Sequence, residues 1–399
     1  MHLQNYLHQV VHDIMGADAA AHGTAAPWDA TKLSSIVETI NASLKIDLTV
    51  DDITSCRSPK DLKSVIDILI ERRGQTYSKA GVVASGPYVR VDAWVHHHGL
   101  PLHSIEPAYR QWCPTPHVHA LTDHTASGFV EMPAAYVAEI TDAIVIGNSN
   151  IVAHASGAIL SDELSDMDLT RHGLRYSLTQ KIEPNYCQVG FYHSEERTPI
   201  AIHLCMDFYH NYFHRMIECF PRLSLIDRLQ QYDNIPIVTE EFTANQIEEA
   251  FSFFNYKKRP IIRIKPYETI TVDRLIYPSQ LSFVHEVPYH TPGRRDTRIS
   301  PVVVQLLRDT ILPHAGLLPP TIPERLYLLR GPSQLRHLRN EPEVAAYLAE
   351  RGFAIVQTQN YSLLDQARLF AGARQIIGPS GAAFTNLVFT SPGTQIIVL

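Results

Sequence analysis

The stretch RQIIGPSGAAFTNLVFTSPGTQIIVL, residues 374–399, decides the reading of the fold. A short apolar strand breaks at Gly378-Pro379-Ser380-Gly381. A helical pattern runs from Ala382 to Phe389 and stops at Ser391-Pro392-Gly393. TQIIVL then reads as another strand. The preceding residues repeat the unit. RLYLLR (325–330) is a strand, and 341–351 is a helix closed by Gly352. FAIVQT (353–358) is a strand, and 362–371 is a helix capped by Ser362 and ended at Gly372. Repeated β–α units with short apolar strands imply a parallel sheet, with ligands outside the carboxyl ends of its strands.

The turn at 378–382 lies at such an end. A helix N-terminus offers unpaired amides and partial positive charge, and small residues let an anion approach closely. Gly378, Pro379, Ser380, Gly381 and Ala382 are therefore candidates to hold a phosphate. Asn386, one turn on, is placed to reach a ribose or sugar hydroxyl. Arg330, Arg336 and Arg339 fall on the same side of the sheet, and guanidinium groups grip phosphate bidentately. A tight connection that binds nothing has the same local pattern. Three rival motifs fail. GxGxxG is absent. Gly378-Pro379-Ser380-Gly381-Ala382 is close to a GxSxG nucleophile elbow, but no His, Asp or Glu follows Ser380. No GxxxxGK[ST] exists.

The chain has 399 residues, which predicts two or three domains. Its 45% apolar and 19% charged content is that of a globular protein, and its net charge of -7 argues against nucleic acid as partner. The five cysteines are widely spaced without a CxxC pair, which predicts reduced thiols and a cytoplasmic protein. The first sixteen residues lack the basic start and apolar run of a signal peptide. No stretch is long and apolar enough for a membrane span, and peripheral membrane contact stays open.

Residues 1–74 read as a helical bundle. Leu3, Leu7, Val10, Val11 and Ile14 have helical spacing, 31–44 form a second helix, and Ser58-Pro59 opens a third that ends at Gly74. Helix, long loop, helix, IDLTVDDI and SPKDLKSVIDIL together resemble an acyl or peptidyl carrier domain. The family's phosphopantetheine attachment motif, Asp-Ser-Leu, falls on Asp29-Ala30-Thr31. Ala30 has no hydroxyl, so no phosphopantetheine is expected, and the resemblance implies a docking module for a protein partner. Residues 75–104 read as a linker or extension. His96-His97-His98 invite a metal reading, but neighbouring side chains point apart and no carboxylate or Cys lies at ligand spacing. From Pro133 the chain turns β, with hairpins at Gly147-Asn148 and Ser156-Gly157. A helix is predicted over 212–228, another over 246–254, and strands at IPIVT, RPIIRI and DRLIYP.

Three blocks at consistent spacing then resemble glycosyltransferase family 61, whose bacterial members build capsular and other surface polysaccharides. They are ITDAIVIGNSNIVAHASGAIL with VDRLIYPSQ, HNYFHRMIECFPRL (210–223), and RLYLLRGPSQLRHLRNEPEV with the closing stretch. The resemblance covers about 105–399. It implies an α/β GT-B architecture of two Rossmann-like domains, 105–300 on the acceptor side and 301–399 on the donor side. It also implies inverting transfer from a nucleotide-sugar to a glycan or small hydroxyl acceptor, in surface polysaccharide or secondary-metabolite glycoside synthesis, without metal or other cofactor. Ser380 stands where many relatives have His. Inversion needs a general base. His214 is the first candidate, since its pKa range suits the task. Glu218, four residues on, either orients His214 or is itself the base, and Asp207 is a third choice. Asp166-Met167-Asp168 looks like the metal-binding DxD of other sugar transferases, but the GT-B scheme does not require it. The alternative is a non-catalytic glycosyltransferase-like scaffold recruited through the carrier-like domain. A GT-B sugar-phosphate epimerase would instead need carboxylates in the cleft.

Overall fold

The computed structural model describes residues 10–14, 30–44, 50–53, 62, 82–114, 127–162, 179–183, 186–191, 194–284, 297–316, 322–330 and 338–399. The chain divides into two compact units, Met1–Val82 and Val83–Leu399.

In the first unit, residues 10–14 are helical, followed by α1 (Ala30–Leu44) and α2 (Val50–Ile53). Leu33, Ile36 and Ile40 are buried along α1, while Lys32, Ser35, Glu38 and Thr39 are exposed. That is the one-sided stripe its sequence predicts. Ala30 opens α1. Asp29 and the helix expected from Ser58, apart from the helical and buried Leu62, lie outside the described residues.

The second unit is built on a large mixed sheet. Its first strands are β1 (Val82–Val89), β2 (Leu102–Glu106), β5 (Ala135–Ile146), β6 (Val152–His154) and β7 (Ile159–Leu160). Helix α3 (Val91–His97) follows β1, and β3 (Tyr109–Cys113) pairs separately with β4 (Gly128–Met132). Then come β8 (Thr179–Glu183), β9 (Tyr186–Phe191) and β10 (Arg197–His203). Residues 82–89 and 102–106 are thus strands of the sheet, with α3 between them, where a linker was expected over 75–104. The Gly-Pro within β1 and the polar residues of β2 masked the strand pattern.

After β10 the chain enters a helical segment of changing pitch. It comprises α4 (Tyr212–His214), a π-helical turn Arg215–Cys219, a 3-10 turn Phe220–Arg222 and α5 (Leu223–Asp227). One uninterrupted helix was expected. Pro221 has no N–H to give the carbonyl four residues back, so a regular α pattern cannot pass through it. Next are β11 (Ile237–Glu240), α6 (Asn245–Phe254), β12 (Ile261–Ile264) and β13 (Thr269–Pro278). The strand order is β12-β11-β10-β13-β5-β6-β7-β1-β9-β8, with β2 also on β5. The stretch β12 to β13 is a parallel run, β13 meets β5 antiparallel, and β1 again pairs parallel with β7.

Strands β14 (Phe283–Val284) and β15 (Thr297–Arg298) form a small ribbon. Helix α7 (Pro301–Ala315) follows, with Ser300 accepting from the Val302 amide as N-cap. Then come β16 (Arg325–Leu328), α8 (Glu341–Ala349), β17 (Ala354–Val356), α9 (Leu363–Gly372), β18 (Gln375–Gly378) and β19 (Gln395–Val398). These strands form a wholly parallel sheet ordered β17-β16-β18-β19, as the periodicity predicts. Residues 382–389 are helical, but as a 3-10 helix. The boundary expected at 300/301 divides no core. Val303 and Leu307 of α7 are buried in one cluster with Ile217 and Phe220 before it and Leu326, Ile376 and Phe389 after it. This α/β architecture with parallel strands is compatible with a glycosyltransferase. Among the described residues no helix is long and apolar enough to cross a membrane.

Gly378 lets two strands of the parallel sheet meet closely. A Cβ there would lie 2.9 Å from both the Cβ and the carbonyl oxygen of Leu328. Gly378→Ala is expected to cost about 1–3 kcal/mol by overpacking, read as a lower urea midpoint at unchanged slope.

Candidate functional site

The carboxyl ends of β16, β17 and β18 converge on a cavity of about 340 Å³, within the roughly 300–1,000 Å³ of small-molecule sites. Leu328, Leu329 and Arg330 line it from β16, and Thr358 and Gln359 from the 3-10 turn after β17. Pro379, Gly381, Ala382 and Ala383 line it from the turn after β18. Tyr212, Ala244 and Gln246 close it from the first half of the unit, and Gln366 from α9. Arg330 is the one cation among the described lining residues, and no carboxylate is among them. That balance favours an anion.

The turn is held by its neighbours. Arg330 donates through Nη1 to the Ser380 carbonyl, and its own amide donates to Glu341 Oε1 at 2.9 Å. A side chain at Gly381 would push on the Arg330 guanidinium. The Gly381 backbone is extended, but a Cβ would stand 2.5 Å from Arg330 Nη1. The Ser380 amide donates to the Leu399 carbonyl at 3.3 Å, and Pro379 has no N–H. Neither residue therefore offers an amide to an anion, which corrects the expectation for this pair. Phe384 donates back to the Gly381 carbonyl. The amides of Ala382 and Ala383, ahead of it in the opening turn of the 3-10 helix, have no partner within that helix.

Asn386 is also corrected. It is fully buried and does not line the cavity. Its amide donates to Gln366 Oε1 at 2.7 Å and to the Ala383 carbonyl at 3.2 Å, and its Oδ1 accepts from the Tyr212 hydroxyl at 2.9 Å. Gly378 likewise serves strand packing and lies outside the lining. Arg339 is exposed in the turn before α8 and is not a lining residue. Arg336, Asp166 and Asp168 lie outside the described residues.

His214 and Glu218 form a buried pair. Asn211 caps their segment by accepting from the Phe213 amide at 2.9 Å. His214 Nδ1 stands 2.5 Å from Glu218 Oε2, and Glu218 Oε1 accepts the Val284 amide at 2.8 Å. A carboxylate only accepts, so the contact fixes the proton on Nδ1 and makes Nε2 the basic nitrogen. Phe208 stacks on the imidazole, 4.6 Å between centroids, in a left-handed backbone conformation with φ 56°. Asp207 is half-buried directly before it. None of Asp207, His214 and Glu218 lines the cavity. Tyr212, on the same helical segment, does.

Tyr212, Gln246 and Gln366 were missed in the sequence. Tyr212 stands inside the block at 210–223, the one signal for it. His96 and His97 close α3, and His98 stacks on Trp94 at 3.9 Å. Among the described residues no three His, Cys, Asp or Glu side chains cluster as metal ligands. Cys113, Cys205 and Cys219 are free thiols.

These features define an α/β protein with an anion-suited cavity at the carboxyl edge of a parallel sheet. Residues 212–397 match the family model Glycosyltransferase 61. The match spans a little under half of the chain and contains every lining residue of the cavity. No curated protein matches the chain.

Proposed function

We propose that the protein is an inverting glycosyltransferase that moves a sugar from a nucleotide-sugar to a hydroxyl acceptor. The observation that carries this is the cavity, with Arg330 fixed beside the amides of Ala382 and Ala383 and no carboxylate among its described lining residues. The diphosphate of the donor sits against these groups. His214 Nε2 takes the proton of the acceptor hydroxyl, with Glu218 holding the ring. The acceptor oxygen attacks the anomeric carbon from the face opposite the diphosphate, and the bond to the diphosphate oxygen breaks. The electron pair stays on the diphosphate oxygen, whose charge Arg330 and the two amides stabilise, donors already placed where charge develops. In this reading the unit 83–399 works as a GT-B enzyme without a metal, in the cytoplasm. The product is a surface polysaccharide or a secondary-metabolite glycoside. The carrier-like first unit docks a protein partner.

Thermal-shift and calorimetric titration with UDP, GDP and CMP test the cavity. At least one is expected to stabilise the protein. Arg330→Ala is expected to weaken that nucleotide about ten- to hundredfold, the scale of a lost hydrogen bond to a charged group. A protein whose melting temperature answers to none of the three would not be this enzyme.

A further inference from the structure

We propose that Asn386 is a positioning residue for nucleotide binding, acting through a one-way chain of hydrogen bonds that threads the cavity's walls. The inference rests on the nucleotide-binding reading of the cavity. The Tyr212 hydroxyl donates to Asn386 Oδ1 (2.9 Å), and the Asn386 amide donates to Gln366 Oε1 (2.7 Å) and the Ala383 carbonyl (3.2 Å). The Gln366 amide donates to the Tyr361 carbonyl (3.1 Å). Gln246 of α6 donates to that carbonyl (2.8 Å) and to that of Gln359 (3.0 Å).

The direction of the chain is determined, not chosen. The carbonyls of Ala383 and Tyr361 only accept, so both side-chain amides must turn their NH₂ groups toward them. Asn386 then presents its oxygen to Tyr212. One residue without access to the cavity thereby ties together three of its walls: the segment carrying Tyr212, α9, and the first turn of the 3-10 helix. The last of these carries the amides of Ala382 and Ala383. Asn386 and Gln366 are both buried, so each lost link leaves a desolvated group unpaired. The glutamines spend their amides on the walls, which leaves the anion to Arg330 and the main chain.

Asn386→Asp tests the direction with little change of shape. As a carboxylate it turns an acceptor toward Gln366 Oε1 and the Ala383 carbonyl. Protonation restores one donor, and burial raises a carboxyl pKa toward the neutral range. The charged and titratable groups on the elements packed around it are Tyr212 and His214 of α4, Asp365 and Arg368 of α9, and Arg308, Asp309 and His314 of α7. Arg330 stands beside Gly381. Among these, Tyr212 is the one bonded to Asn386, and burial, with Glu249, raises its hydroxyl pKa.

Wild type and variant are titrated calorimetrically with UDP and with GDP at pH 6 and pH 8, below the melting temperature of both. The variant is expected to bind about tenfold more weakly at pH 8, with the gap to wild type narrowing at pH 6. Equal affinities at both pH values, or a gap of the same size at both, would overturn the positioning role alone. Failure of wild type to bind either nucleotide would overturn the cavity reading and this inference with it. Should Asn386→Asp not fold, Asn386→Ser serves. Its hydroxyl is too short to bridge Tyr212 and Gln366, so weaker binding is expected and unchanged affinity overturns the role.

Discussion

Replacing His214 with alanine is expected to lower the rate of sugar transfer by about 10²–10⁴-fold, the usual contribution of a general base, while UDP or GDP affinity holds. The split reflects where the residue stands. His214 is not in the cavity wall, so its loss leaves the nucleotide contacts intact. It is bonded to Glu218, and in the proposed mechanism the alanine removes the nitrogen that receives the acceptor proton. The substitution also takes the imidazole donor away from a buried carboxylate, so some stability is lost too. Rates are therefore compared below the melting temperature of both proteins, with His214→Gln as a control that can still donate to Glu218. Wild-type turnover by both variants would remove His214 as the base and leave Glu218 or Asp207 to be tested in its place.

The second large effect concerns stability. Arg215 and Glu240 are both fully buried, with Arg215 Nη2 donating to Glu240 Oε2 at 2.7 Å. Glu240 Oε1 also accepts the amides of Asn148 (2.7 Å) and Met206 (3.2 Å). One carboxylate thus ties the helical segment after β10 to the turn after β5. Glu240→Ala leaves a guanidinium without this counter-ion in a low-dielectric interior, which costs about 3–5 kcal/mol. A large drop in the urea midpoint is expected. The double variant Arg215→Met/Glu240→Leu is expected to recover much of it, because apolar replacement of a whole buried pair is often nearly neutral. A single Glu240→Ala variant that melts like wild type would show that the pair carries no such load.

The closing parallel sheet was legible in the sequence because its strands are short apolar runs punctuated by Gly, Pro and Ser. Gly372, Gly378 and Ser391-Pro392-Gly393 mark the ends of elements, and Ser362 caps the start of one. The pitch of residues 382–389 was not, since eight residues of mixed small and apolar type suit either helix. The front half was harder. Its sheet is mixed, and strands such as LHSIE do not alternate cleanly. At the candidate site, Arg330, Gly381 and Ala382, expected there from the sequence, do line the cavity, because they follow the carboxyl ends of β16 and β18. Asn386 was misread for a physical reason. A polar residue one turn into a helix looks like a ligand contact, but its partner Tyr212 lies 174 residues away in sequence. Gln246 and Gln366 were invisible on the same ground, since nothing local marks an amide that holds a distant carbonyl.

The π-helical turn Arg215–Cys219 sets one more condition on this protein. All five of its residues are buried, and it joins an α turn carrying Tyr212 and His214 to a 3-10 turn carrying Arg222. A π turn holds one residue more than an α turn, so it resets the angular phase between the segments on its two sides. Shortening it by one residue would rotate the two ends by about 100°, the angle per residue of an α-helix. Either the imidazole or the deep guanidinium would then face the wrong side. Chain length across these five positions is therefore constrained together with the identities of Arg215 and Glu218.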